Sequence, residues 1–308
     1  MNDAGDRGRV VRGNLYALVS ICFFGFSFLF TKNITEEVSA LTLLSWRYLT
    51  ALIVMSILIA FRVIRIDLKG KSLKPLLTIA VLVPVIYFIG ETYGIQMTTA
   101  SESGCIVASI PAVTMLASAL ILKQMPTGKM ISGIAITITG VVVCVLSKGM
   151  SVSFNPLGYL MLIMAVVSYA LYGVFSRKED SFTSVEKTYV MMALGAVVFT
   201  VLAVCERLAA GGGAASLAEL AALPVTSRMF LVTILYTGIG CSVISFLLQN
   251  LAIEMIGPTK TVAYAGITTL ISIVSGIVIL GENFTMAQVI GAALIIGGVY
   301  IVNKIGTD

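Results

Sequence analysis

Apolar residues in this chain come in long blocks, without the short alternations of a half-buried strand. Ten blocks of about 20 residues can be laid down, at 14–31, 40–61, 75–97, 101–122, 129–147, 156–176, 185–205, 229–252, 259–280 and 285–303. That length is what a helix needs to cross the hydrocarbon core of a bilayer. The pattern predicts an all-α polytopic membrane protein with ten transmembrane helices. Most connectors are short. The exception lies between blocks seven and eight and contains AAGGGAASLAELAALP. Its Ser216-to-Glu219 spacing matches a capping box and predicts a short interfacial helix ending near Pro224.

Composition agrees with the pattern. The 308 residues are 58% hydrophobic and 11% charged, with a mean hydropathy of +1.03; soluble domains carry about 25% charged residues. Histidine is absent, which removes the commonest general base and metal ligand. Cys22, Cys105, Cys144, Cys205 and Cys241 are scattered through apolar blocks without CxxC spacing, so they read as small buried hydrophobes and not as a zinc site or disulfide framework. There is no GxxxxGK[ST], and no GxGxxG follows a strand-like run. The expectation is a protein that is not an enzyme, with no cofactor, no metal and no nucleic-acid partner. Its partners are membrane lipids and a small-molecule substrate.

The polar leader Met1–Arg12 runs into a full-length apolar block with no cleavage pattern, which reads as a first transmembrane helix and not a removed signal. With the N-terminus placed inside, inner segments hold fifteen of the 20 Lys and Arg residues, and outer segments hold four: Lys32, Lys148, Arg207 and Arg228. Positive charge concentrates on the inner side of membrane proteins. Both termini are therefore expected in the cytoplasm, with the chain as a multi-pass protein of the cytoplasmic (inner) membrane.

A weak repeat underlies the ten blocks. At a shift of 158 residues, Ile95 and Met97 fall on Ile253 and Met255, Thr127 on Thr285, Gly133 on Gly291, and Gly140-Val141 on Gly298-Val299. The first blocks align at a shift of 145, where FLFTK (28–32) falls on GVFSR (173–177). This divides the chain into a first five-helix repeat at 1–147, a linker at 148–155 and a second repeat at 156–308. Five spans per copy is an odd number, so the second copy must cross the membrane in the opposite sense. Inverted repeats of this kind mark secondary transporters, whose substrate sites lie where the copies meet.

The stretches TTASESGCIVASIPAVTMLASALILKQMPTGKMISGIAITITGVVVCV and GPTKTVAYAGITTLISIVSGIVILGENFTMAQVIGAALIIGGVYIV resemble the paired signature of EamA-type permeases of the drug/metabolite transporter superfamily. FFGFSFLFTK in block one and WRY in block two extend the resemblance over essentially the whole chain. The second copy keeps the family's GE at Gly281-Glu282, whereas the first has Lys123-Gln124. The resemblance implies a 5+5 inverted repeat around a central cavity. Helices one, three, four, six, eight and nine would line it, with helices five and ten to one side. It also implies export of amino acids or related small metabolites, with drug or nucleoside-type export and a non-transporting or lipid-handling role as the alternatives.

Glu91 sits in YFIGETYGIQ, inside block three. A carboxylate at the centre of a lipid-embedded helix costs about 2.5–3.5 kcal/mol on insertion scales, so it is expected to face the bundle interior. Helical spacing puts Pro84, Tyr87 and Gly94 on its face. Its repeat mate is Gln249, with Ser242, Ser245 and Ala252 alongside. Two roles stand open: contact with a substrate amino group or a proton, or a buried ion pair with Arg47, which lies at the same depth on helix two. Further substrate-site candidates are Tyr169 and Tyr172 beside Ser168, then Tyr264 and Thr268 with Ser275 beside Gly266.

Pro111 is expected to break the ladder opposite Gly104 and Ala108. Lys260 and Glu102, at equivalent helix starts, are expected to be solvated gate rims. Trp46 reads as an interface or packing aromatic. Small residues at Gly133, Thr137, Gly140, Ala287, Gly291 and Gly298 predict that helix five packs on helix ten, within one chain or across a homodimer.

Overall fold

The computed structural model describes residues 3–123, 127–146, 155–281 and 285–305, and among these every regular element is helical. The N-terminal half comprises α1 (Asp3–Ile34), α2 (Ala40–Ala60), α3 (Lys74–Ala80), α4 (Tyr87–Met97), α5 (Ala100–Val107), α6 (Ile110–Ile121) and α7 (Gly128–Leu146). The C-terminal half comprises α8 (Pro156–Lys178), α9 (Ser184–Ala209), α10 (Ala214–Thr226), α11 (Arg228–Leu235), α12 (Phe246–Ile256), α13 (Pro258–Thr261), α14 (Ala265–Val278) and α15 (Met286–Ile305).

Seven helical segments among the described residues are long and apolar enough to cross a membrane: Gly8–Ile34, Ala40–Ala60, Lys74–Met97, Glu102–Ile121, Pro156–Lys178, Ser184–Ala209 and Arg228–Ile256. The predicted fifth, ninth and tenth spans fall on α7, α13–α14 and α15, whose apolar stretches are shorter: Ile131–Gly140, Ile267–Val278 and Met286–Gly298. Glu282 and Gln124 of the family signature lie outside the described residues, as does most of the predicted linker.

Two of the long segments are interrupted at matching places. A kinked connection, Val81–Ile86, joins α3 to α4, and a π-helical stretch, Tyr236–Ser245, joins α11 to α12. In the first, Pro84 has no N–H to donate and forces its predecessor out of the helical region; Val83 accordingly has φ −136° and ψ 116°. Ser168 Oγ of α8 donates to Leu82 O at 2.7 Å, giving the disrupted ladder a side-chain partner. The fourth span breaks at Ala108-Ser109, with Pro111 in the first turn of α6, as expected of that proline.

The packing is reciprocal. α1 lies against α12 and α14, while α8 lies against α4 and α6; α2 pairs with α9, and α7 with α15. These contacts are close because glycines permit them. A Cβ on Gly90 would stand 2.5 Å from Met161 O of α8, and one on Gly140 would stand 2.6 Å from Gly291 O of α15. The small-residue seam of helices five and ten is thus occupied within one chain.

Two polar clusters mark opposite ends of the bundle. At one end, Arg9 of α1 and Arg177 of α8 both donate to Glu254 O of α12, at 3.2 and 2.9 Å. Nearby, Lys187 Nζ donates to Ser176 O at 2.7 Å and Glu179 O at 2.5 Å, capping the end of α8. At the other end, Lys32 Nζ donates to the carbonyls of Ile95, Gln96 and Thr98, where α4 finishes. The start of α1 therefore shares a face with the end of α8.

The connector helix α10 departs from expectation. It starts at Ala214 with Gly213 as its N-cap and no side-chain cap, and it carries Pro224 inside. The Ser216–Glu219 capping box does not form, because the helix has already begun before Ser216. Trp46 Nε1 donates to Leu220 O at 2.9 Å, tying α2 to α10.

Candidate functional site

A narrow cavity lies between the two halves, with only about 30 Å³ of space that a water-sized sphere can reach. Its walls come from α1 (Ile21, Phe24, Phe28), α4 (Tyr87), Val107 of α5 and Ile110 of α6, and from α8 (Tyr169), α12 (Gln249), Val262 and Thr268. These are the six spans expected to line a central cavity. Phe24, Phe28, Tyr87 and Tyr169 make much of the wall aromatic. The Tyr87 and Tyr169 rings are 5.0 Å apart, and Tyr169 meets Tyr172 at 5.4 Å.

Of the candidate residues, Tyr87, Tyr169, Gln249 and Thr268 line the cavity together. Thr268 Oγ1 donates to Ile21 O across the halves at 3.4 Å. Glu91 stands one turn behind Tyr87, buried, and its Oε1 accepts the Tyr87 hydroxyl at 2.5 Å. The other three lie apart from the cavity wall. Tyr172 is fully buried and donates to Asn250 Oδ1 at 2.8 Å. Ser245 Oγ donates to Gly240 O at 2.9 Å inside the π segment. Tyr264 ends the 3₁₀ turn before α14.

Of the two roles open for Glu91, the ion pair with Arg47 is not formed. Arg47 Nε donates to Ser242 Oγ at 2.8 Å, and its guanidinium carbon lies 4.1 Å from the Phe88 ring centroid. Nη2 is buried without a partner. Equal depth did bring Arg47 to the third span, but onto its Phe88 side. The ring and the Ser242 hydroxyl occupy the guanidinium, while Tyr87 occupies the carboxylate. A cation over an aromatic face gains about 2 kcal/mol or more when desolvated.

Glu102 also departs from expectation. It is 3% exposed, not a solvated rim. Oε2 accepts from Thr99 N at 3.1 Å in a capping box, while Oε1 accepts from Tyr159 OH at 3.2 Å and Gln288 Nε2 at 3.1 Å. This carboxylate joins the starts of α5, α8 and α15. Lys260, its equivalent on α13, is exposed.

Four contributors escaped sequence reasoning. Phe24 and Phe28 are spaced four apart on α1, a spacing a lipid-facing stripe would share. Ser20 Oγ lies 3.0 Å from both Gln249 Oε1 and Ser245 O. Asn250 accepts from Tyr172 and Ser176 and donates to Thr188 Oγ1, so it locks α8, α9 and α12. The consecutive amides Gln249-Asn250 in an apolar block were the available signal for it.

A helical bundle with an internal two-part repeat and a cavity between the parts defines a class of membrane transporter. The chain belongs to the EamA-like transporter family, which matches it twice, over residues 11–146 and 156–304. It is 29% identical over 285 residues to the uncharacterized transporter YcxC of Bacillus subtilis, covering 92% of this chain and 90% of that protein. It is 25% identical to the uncharacterized transporter YyaM of Bacillus subtilis, covering 90% and 88%. The WAT1-related protein At4g08300 of Arabidopsis thaliana is 23% identical, covering 84% and 76%. A solved structure titled only as the crystal structure of a protein shares the fold, with a TM-score of 0.69 at 17% identity over 95% of this chain and 98% of that one.

Proposed function

We propose that this protein is a secondary transporter that exports a small amphoteric metabolite, such as an amino acid, by alternating access. The carrying observation is the narrow cavity walled by α1, α4, α5 and α6 from one half and by α8, α12 and Thr268 from the other. Reciprocal packing of the halves, and the shared face of the start of α1 and the end of α8, support ten spans in a 5+5 inverted repeat. Rocking of one half against the other would then expose a midplane site to each side in turn.

In this reading Tyr87, Tyr169, Gln249 and Thr268 contact the substrate, and Glu91 meets its amino group or a proton through Tyr87. The Glu102 cluster closes one end, and the Asn250 and Lys187 clusters close the other. The face bearing Arg9, Arg177 and Lys187 is cytoplasmic, as the charge bias requires, and both termini lie there in the cytoplasmic membrane. The test is a counterflow screen of amino acids, purines and organic cations in proteoliposomes without nucleotide. Exchange of an amino acid supports the reading. Exchange of purines or organic cations alone would favour a drug or nucleoside-type exporter, and no exchange of any solute would refute transport.

A further inference from the structure

At one corner of the bundle, two membrane-spanning segments begin and end side by side. The segment Lys74–Met97 starts at Lys74, and the segment Pro156–Lys178 finishes at Lys178. Between them lies a groove with about 330 Å³ that a water-sized sphere can reach, far more than the central cavity offers. Pro75, Thr78 and Ile79 of α3 form one wall, and Phe175, Lys178 and Glu179 form the other. Leu77 and Val81, both exposed, extend the apolar surface of the same span away from its polar end.

Two lysines stand at that polar end. Lys178 lines the groove, and Lys74 directly precedes its Pro75. Both are exposed, and among the described residues neither ammonium meets a carboxylate or a carbonyl oxygen. Their neighbours are already engaged: Lys71 pairs with Glu186 at 3.1 Å, and Lys187 donates to Ser176 O and Glu179 O. The Lys187 contact covers the carbonyl end of α8, whose partial negative charge would otherwise repel an anion. Glu179, the acidic residue of the lining, accepts from Ser181 N at 3.0 Å through its Oε1.

Uncompensated cations above an apolar floor, where two spans reach the membrane surface, complement an anionic headgroup and its acyl chain. A free phosphate would leave the floor uncovered, and a zwitterionic lipid brings a cation of its own beside the lysines. We infer that this groove holds an anionic glycerophospholipid, with its phosphate on Lys74 and Lys178 and an acyl chain along Pro75, Thr78, Ile79 and Phe175. Such a lipid bridges the start of α3 to the end of α8, and so the two halves. The inference goes beyond the transport reading and does not depend on it.

The test takes the full-length protein from liposomes holding equal amounts of dioleoyl phosphatidylglycerol and dioleoyl phosphatidylcholine. Native mass spectrometry then counts the lipids that stay bound. Wild type should retain phosphatidylglycerol over phosphatidylcholine by about fivefold or more. Lys74→Gln with Lys178→Gln should bring that ratio near one. Arg62→Gln with Lys69→Gln removes as much charge from the same connector but outside the groove lining, and should leave the ratio unchanged. Thr78→Trp fills the groove without altering charge and should also abolish the preference.

No retained lipid, or equal retention of both lipids by wild type, overturns the inference. An equal fall in the two glutamine pairs means diffuse surface attraction and overturns it as well. So does an unchanged preference in Thr78→Trp, because the groove would then hold no chain. Displacement of the retained lipid by glycerol 3-phosphate or inorganic phosphate would assign the lysines to a soluble phosphate, which again overturns it.

Discussion

Replacing Glu91 by Gln separates an ion pair from an isolated carboxylate. Glutamine has the same shape and keeps an oxygen that can accept the Tyr87 hydroxyl, now 2.5 Å from Oε1. Were Glu91 paired with Arg47, removing one charge would cost about 3–5 kcal/mol, because the other charge is left buried and alone. Instead, Arg47 keeps its Ser242 hydrogen bond and its place over Phe88 in the variant. The local loss is one charge-assisted hydrogen bond exchanged for a neutral one, about 1 kcal/mol. Attraction across a longer distance adds on the order of 1 kcal/mol.

A double-mutant cycle with Arg47→Met, read by chemical unfolding in mixed micelles, isolates the coupling between the two positions. We expect a coupling of about 1 kcal/mol or less. Glu91→Gln should be folded and inactive in transport, and the double variant should be inactive too. A coupling of about 3 kcal/mol or more would refute the geometry described for Arg47. Full transport by the double variant would remove the functional role of Glu91.

Glu102→Leu should destabilise the protein by about 3–5 kcal/mol, since it removes the hydrogen bonds the carboxylate accepts from the Tyr159 hydroxyl and the Gln288 amide; a melting temperature within a degree of wild type would contradict this. Gly140→Val should cost about 1–3 kcal/mol through overpacking against Gly291 O, measured in the same unfolding assay, whereas Val142→Ala on the exposed side of α7 should be near neutral. In a cysteine-free background, Gly213→Cys should react with an impermeant thiol reagent in intact cells and Lys69→Cys should not. The reverse pattern would invert the assignment of faces.

Seven of the ten expected spans were legible because crossing hydrocarbon imposes a minimum apolar run, whereas the fifth, ninth and tenth have shorter apolar helical stretches among the described residues; the two-part repeat was legible because its small residues sit at close-packing positions. The break at Pro84 was also legible, since proline has a local and unavoidable effect. Its counterpart at Tyr236–Ser245 contains no proline, so only tertiary contacts distinguish it from an ordinary helix. Glu102 misled for a related reason: a carboxylate at a helix start in a polar connector looks solvated, and its burial depends on Tyr159 and Gln288, 57 and 186 residues away. For Arg47 and Glu91, rise per residue gave depth correctly but not azimuth around the helix axis. Among the cavity residues, tyrosines and amides stood out against their apolar blocks. Phe24 and Phe28 did not, because a ring facing a substrate and a ring facing lipid have the same sequence signature.

In the proposed function, the cavity between the halves carries a solute across the membrane without nucleotide hydrolysis. The most direct measurement is trans-stimulated uptake in proteoliposomes containing only this protein, with a solute identified by the counterflow screen. Unlabelled solute inside should accelerate entry of labelled solute outside with no ATP on either side, and Glu91→Gln should abolish the acceleration while remaining folded. Uptake that is indifferent to internal solute, or that appears only with ATP, would contradict it.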